Sequence, residues 1–275
     1  MKKIGFIDYF MSEWHSNHYP AMIRSACEKL GVEYTVAYAW SELDDSPDGK
    51  SCDAWCAEFG AVRCATLEEV CEKSDVLLVL CPGVPEKHLP YARRVLPYKK
   101  PTYIDKTFAP NAAEAEEIVS LARKYGTPMF STSALRYGSE LDELVGACNV
   151  ITTGGGRSAE EYIVHQAEMI VKLLGTDILS VKAEAQGKQR IFRARFGGDR
   201  MATAVYDLSF PFAVTAELAD GSKTRVINSD FFGTLIEKIL HFYETGEVDF
   251  QNEETLAVMK LREKWLAADE TWREI

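Results

Sequence analysis

Through the first half of the chain, short apolar runs alternate with stretches in which apolar positions recur every three or four residues. Residues 4–9 and 76–80 are almost unbroken apolar runs, the pattern of strands buried on both faces of a sheet. Residues 33–39, 61–64, 102–104 and 129–132 read as further short strands. Between them, helical spacing predicts helices over 19–30, 53–59, 67–72, 85–96 and 112–125. Gly31, Gly60 and Gly126 stand where three of these helices should stop, and Thr66-Leu-Glu-Glu is a capping box. Strand–helix alternation implies right-handed crossovers, and so a Rossmann-type doubly wound parallel sheet over residues 1–130.

Residues 131–275 change character. A helix is predicted over 159–174, closed by Gly175. From 178 to 228 the period shortens to two, giving strands at 180–185, 189–196, 201–208, 212–218 and 224–228, with Asp220-Gly221 as a hairpin signal. Helices over 230–243 and 253–269 finish the chain. The expectation is a C-terminal α+β domain with an open, mostly antiparallel sheet. Large apolar residues fall on both faces in 191–196 and 204–208. That pattern predicts sheet-to-sheet pairing as a homodimer or homotetramer, testable by light scattering at micromolar concentration.

At 275 residues, 47% hydrophobic and 27% charged, the composition is that of an ordinary globular protein. The net charge of −11 excludes nucleic acid and anionic membrane surfaces as partners. It does not exclude a phosphorylated cofactor, which helix N-terminal amides can hold. No run approaches the ~18 apolar residues of a membrane span, and Asp8 breaks the first apolar run too early for a signal peptide. A cytoplasmic protein is expected. The seven cysteines fit no zinc spacing, so reduced thiols and no metal are expected.

Two segments carry candidate chemistry. Lys106 follows the apolar run 102–104, where a buried strand would leave the sheet. His165 lies four residues after Glu161, so a helix puts both on one face. A cation, an imidazole and a carboxylate are what removing a proton from a sugar or polyol hydroxyl requires. The alternatives are a surface Glu–His pair and a surface lysine paired with Asp105. Ser12, Trp14, His15, Asn17 and His18 mark a place for a phosphate or adenine, or for a weak metal pair at His15 and His18. The alternative there is helix capping and packing. Trp40 and Glu42 end the second strand, where an acid would bind an adenosine ribose, and the alternative for Glu42 is a solvated loop acid. Gly154 to Gly156 with Arg157 has the composition of a phosphate loop but reads rather as a plain turn ahead of the helix.

The order of these pieces resembles the Gfo/Idh/MocA oxidoreductases over nearly the whole chain. Residues 76–88 resemble that family's strand, proline turn and following histidine. Tyr103-Ile-Asp-Lys-Thr resembles its Glu-Lys-Pro motif, and Leu135-Arg136-Tyr137 its arginine segment. Gly154-Gly-Gly followed by Glu161 and His165 resembles its glycine turn and catalytic helix. The resemblance implies an NAD-dependent oxidoreductase interconverting a secondary alcohol and a ketone on a sugar, cyclitol or related compound. His165 would be the acid/base, Glu161 its orienter and Lys106 the electrostatic partner. Gly5, Asp8, Phe10, Ser12, Trp40, Glu42, Pro82, His88 and Lys106 would hold the cofactor. Arg136, Tyr137 and His165 would hold the substrate. NAD is favoured over NADP because no arginine follows the second strand. One departure matters most. The family's Gly-x-Gly-x-x-Gly is reduced to a single early glycine, and Asp8 would repel a phosphate. A ligand-binding or assembly protein that has lost the dinucleotide is therefore the second reading. A hydrolase or lyase using Glu161 and His165, with a metal on His15 or His18, is the third.

Overall fold

The computed structural model describes all residues, Met1–Ile275. Two compact units share the chain: Met1–Ser131 with Gly233–Asp249, and Thr132–Phe232 with Phe250–Ile275.

In the first unit the chain runs β1 (Lys2–Asp8), α1 (Trp14–Leu30), β2 (Tyr34–Ser41), α2 (Cys52–Phe59), β3 (Val62–Arg63) and α3 (Leu67–Lys73). It continues through β4 (Val76–Val79), α4 (His88–Val95), β5 (Thr102–Ile104), α5 (Ala112–Tyr125) and β6 (Met129–Phe130). All six strands are parallel, in the order β3-β2-β1-β4-β5-β6. The order reverses between β1 and β4, and a crevice at the carboxyl ends of such strands is where these sheets gather ligands. The apolar runs explain the centre: Ile4, Phe6, Ile7 and Val76 to Leu80 are all buried. Gly5, expected beside a cofactor, has a packing role of its own. A Cβ there would lie 2.4 Å from Ser74 Oγ and 2.5 Å from Val70 Cγ1, so the glycine is what lets α3 seat on β1.

Helix α1 begins five residues before the expected start. Its cap is Glu13, whose carboxylate takes the amides of His15 and Ser16 while Ser16 Oγ takes the Glu13 amide. An acidic cap of this length is not among the common ones, which is why 14–18 did not read as helix.

The second unit holds β7 (Asn149–Gly154), α6 (Ala159–Leu174), β8 (Ile178–Gln186), β9 (Gln189–Phe196), β10 (Arg200–Tyr206), β11 (Ala213–Leu218) and β12 (Gly221–Val226). After α7 (Phe231–Thr245) come α8 (Asn252–Ala267) and β13 (Arg273–Glu274). The sheet order is β12-β11-β7-β10-β9-β8-β13. It is antiparallel except for β7 with β10, and β7 was not expected at all. Helix α6 packs on β7 and β10, and α8 on β8. On the opposite face Ile151, Met201 and Val226 are exposed.

Helix α7 departs from the expected division at residue 130. Most of it belongs to the first unit, where Tyr243 donates to Leu77 O at 2.7 Å and Phe242 packs edge-on against Phe130. No helix is long and apolar enough to cross a membrane. All seven cysteines are unpaired thiols.

Candidate ligand site

Strand β1 delivers Asp8 to the crevice mouth, and α1 starts six residues later. Counted from Asp8, the spacing Gly-x-Gly-x-x-Gly falls on Asp8, Phe10 and Glu13. Asp8 is buried. Its Oδ1 accepts from the amides of Tyr9 at 2.7 Å and Cys81 at 3.1 Å, and its Oδ2 has no hydrogen-bond partner. Burial, together with the charge of Glu13, pushes its carboxyl well above the usual carboxylate range, against the pull of the two amides. Burial pushes Glu13 the same way. Its bonds from His15 and from the amides of Ser16 and His15 more than offset this, so Glu13 lies below its ordinary value.

Other donors of the turn are also taken. The Ser12 amide gives to Ser46 Oγ at 2.8 Å, and the Ser12 hydroxyl gives to Asp48 at 2.7 Å while accepting from Asn17. Phe10 is half-buried beside Tyr9. Glu42 does not wait for a ribose: its carboxylate takes Lys87 and the Tyr91 hydroxyl, and Lys87 Nζ lies 4.7 Å from the Tyr9 ring centroid. Trp40 meets Tyr91 edge-on and has Arg94 over its ring. These contacts tie the end of β2 to α4 across the end of β1.

At the end of β5, Asp105 is buried, with Oδ1 accepting from Tyr103 at 3.0 Å and Oδ2 at 3.6 Å from His15 Nδ1. His15 Nδ1 is also 3.2 Å from Glu13 Oε2. His18 turns elsewhere, stacked on Trp14 with Nδ1 at the Trp14 carbonyl, so the two histidines do not form the pair their spacing allowed. No three His, Cys, Asp or Glu side chains are grouped to hold a metal. Lys106 is half-buried and reaches the Pro82 carbonyl at 3.4 Å; a cis peptide bond joins it to Thr107.

His88 is not available to a cofactor. It is fully buried, with Nε2 at 2.6 Å from Leu80 O and Nδ1 at 3.0 and 3.1 Å from the carbonyls of Thr107 and Phe108. Burial holds its imidazole below its ordinary value. The ring fastens the loop after β4 to the loop that carries Lys106.

In the second unit His165 is half-buried on α6 between Tyr162 and Phe212. The hydroxyl at its Nδ1 belongs to Ser133, at 2.6 Å. Glu161, expected to orient the ring, pairs instead with Arg157 one turn back. Ser133 is itself fixed: its Oγ caps Leu135 N, and its amide gives to Glu168. Arg136, expected to hold substrate, has its charge engaged within the second unit. Its guanidinium is buried on Phe250, 4.0 Å from the ring centroid, and divided between Glu168 at 2.9 Å and Glu254. Tyr137 beside it is buried. Lys106 belongs to the first unit and His165 to the second.

No protein-family model matches the sequence, and no curated protein matches it. Solved structures do match. GenD2 from gentamicin A biosynthesis, in complex with NAD, is 12% identical, with 100% of this chain and 97% of that chain covered and a TM-score of 0.81. A myo-inositol dehydrogenase from Corynebacterium glutamicum is 10% identical, covers 100% and 99%, and has a TM-score of 0.79. The UDP-N-acetylglucosamine 3-dehydrogenase GnnA from Acidithiobacillus ferrooxidans is 10% identical, covers 98% and 98%, and has a TM-score of 0.78. This chain has the Gfo/Idh/MocA fold. At such identities the likeness concerns the fold alone.

In Gfo/Idh/MocA proteins of the dinucleotide-binding kind, a pyrophosphate needs open amides and bare backbone where β1 turns into α1. Here a buried acid, a phenylalanine and a second carboxylate occupy those positions. The residues present do not fit the dinucleotide.

Asp8 supplies a direct test. Asp8→Asn keeps an oxygen for both amides and removes the titrating atom. Folded Asp8 holds its proton above the unfolded carboxyl's pKa of about 3.9, so the folded chain binds more protons and stability falls as pH rises from about 4 through the folded value. The variant should lose this fall, with a higher urea midpoint than wild type at about pH 8 and convergence at about pH 4. Glu13 contributes with the opposite sign in both proteins. A lower midpoint for the variant at the higher pH would contradict the assignment.

Three site residues escaped the sequence reading: Glu13, Ser133 and Glu168. Ser133 carried a signal, a serine two residues before Leu135 where a turn could be capped. Glu168 carried none, because its partners come from other segments.

Proposed function

We propose that this Gfo/Idh/MocA-fold protein binds a small hydroxyl-rich ligand beside His165 and does so without a nicotinamide dinucleotide. The observation that carries this is Asp8, a buried carboxyl at the turn where a phosphate would have to lie. The hydroxyl-rich class is suggested by neighbours named for UDP-N-acetylglucosamine and myo-inositol. On this reading His165, steadied by Ser133, exchanges a proton or hydrogen bond with a ligand hydroxyl. Ser133 replaces Glu161 as the group that sets the ring.

A second reading keeps the dehydrogenase. The full-length likeness to GenD2, solved with NAD, favours it. His165 would then take the hydroxyl proton.

One titration separates the two. Wild-type protein with NADH or NADPH to millimolar concentration should show neither fluorescence enhancement nor thermal stabilisation. A saturable micromolar titration by either cofactor would replace the first reading with the second.

A further inference from the structure

The first turn of α1 points main-chain N–H groups at the carboxyl end of β1. That arrangement attracts anions, because the amides are unpaired and the helix dipole is positive there. The chain answers with its own anion. Glu13 Oε2 accepts from the His15 amide at 2.8 Å, and Oε1 accepts from the Ser16 amide. The Glu13 side chain is 8% exposed, so this is not a solvated surface cap.

Two further contacts lock it in place. His15 Nδ1 sits 3.2 Å from the same Oε2, and the His15 ring is fixed in turn by Asp105 at 3.6 Å and by Tyr19 edge-on. A short serine or aspartate would satisfy the amides with less chain to order. Beside this group lies the unpartnered, buried Oδ2 of Asp8. A phosphate entering there would meet two carboxyl groups that are almost wholly out of water.

We propose that Glu13 is an internal substitute for a phosphate group, a carboxylate that plugs the anion site at the start of α1. The helix terminus keeps its capacity for phosphate-bearing ligands, and the plug occupies it. The inference rests on the reading that the protein works without a dinucleotide, but the two fail separately. NADH binding by the wild type would defeat that reading. A plug whose removal opens nothing would defeat this one.

The probe is inorganic pyrophosphate, titrated calorimetrically into the full chain. Glu13→Ser keeps a good helix cap while removing the charge and the reach; Glu13→Gly leaves the amides bare. Both should bind pyrophosphate about tenfold or more tightly than wild type. Asp8→Asn added to Glu13→Ser should tighten it again, since it removes a second buried carboxyl from the turn. Far-UV circular dichroism checks that each variant is folded, and the serine variant decides the matter if the glycine variant is not. Wild-type affinity in a folded Glu13→Ser protein would overturn the proposal. So would pyrophosphate binding to wild type as tight as to the variants.

Discussion

Arg136→Ala is expected to lower the unfolding free energy by about 3–5 kcal/mol, the usual cost of stranding one partner of a buried ion pair. The arginine and Glu168 are 7% and 4% exposed in their side chains. With the guanidinium gone, Glu168 keeps Thr132 Oγ1 at 2.9 Å and the Ser133 amide at 3.3 Å, and the stack on Phe250 is lost. Glu254 is 26% exposed and can turn to water, so it adds little. Arg136→Lys should fall between, because an ammonium keeps the charge but cannot fork between two carboxylates. Urea unfolding of the three proteins measures this. A loss under about 1 kcal/mol in the alanine variant would mean that the pair is solvated after all. Because Glu168 also holds the Ser133 amide, the same substitution should loosen the hydroxyl on His165.

Gly155→Ala is expected to cost about 3 kcal/mol, at the upper end for overpacking. A Cβ there would lie 2.5 Å from Asp207 O and 2.7 Å from Leu208 O. Both are main-chain atoms just past β10, held where β10 pairs in parallel with β7, so neither can swing aside. Its neighbour provides the contrast. At Gly154 a Cβ would meet the Phe212 ring at 2.6 Å, a side chain that can rotate, so Gly154→Ala should cost less. Thermal unfolding of both variants tests the order. Gly155→Ala as stable as wild type would show that the strand ends can part. Gly155 therefore lets the chain after β7 lie directly against the main chain after β10.

How much of this was legible beforehand depended on where each residue's partners lie in the sequence. The bounds 102–104, 112–125, 159–174 and 189–196 were read as they are found, because local period and caps determine them. Strand β7 was hidden by its composition. Thr152 faces the interior only because its hydroxyl gives to Gln166, fourteen residues away. Helical spacing placed Glu161 one turn from His165, yet it placed Arg157 equally near on the other side, and a guanidinium is the stronger partner for a carboxylate. Arg136 read as a ligand-facing cation because its two acids arrive from α6 and α8. The missing glycines at 8, 10 and 13 were plain, but that Glu13 would close on the amides of its own helix needed the folded turn.

Most of α7 returns to the first unit after the chain has passed through most of the second. A ribosome will therefore have made some 249 residues before the surface around Leu77 and Phe130 receives its cover. Until then an apolar patch of the nascent sheet stands open, and a fragment ending at Ser131 would keep it open permanently. Chaperone dependence during synthesis, and insolubility of that fragment, are the biological signature such threading leaves.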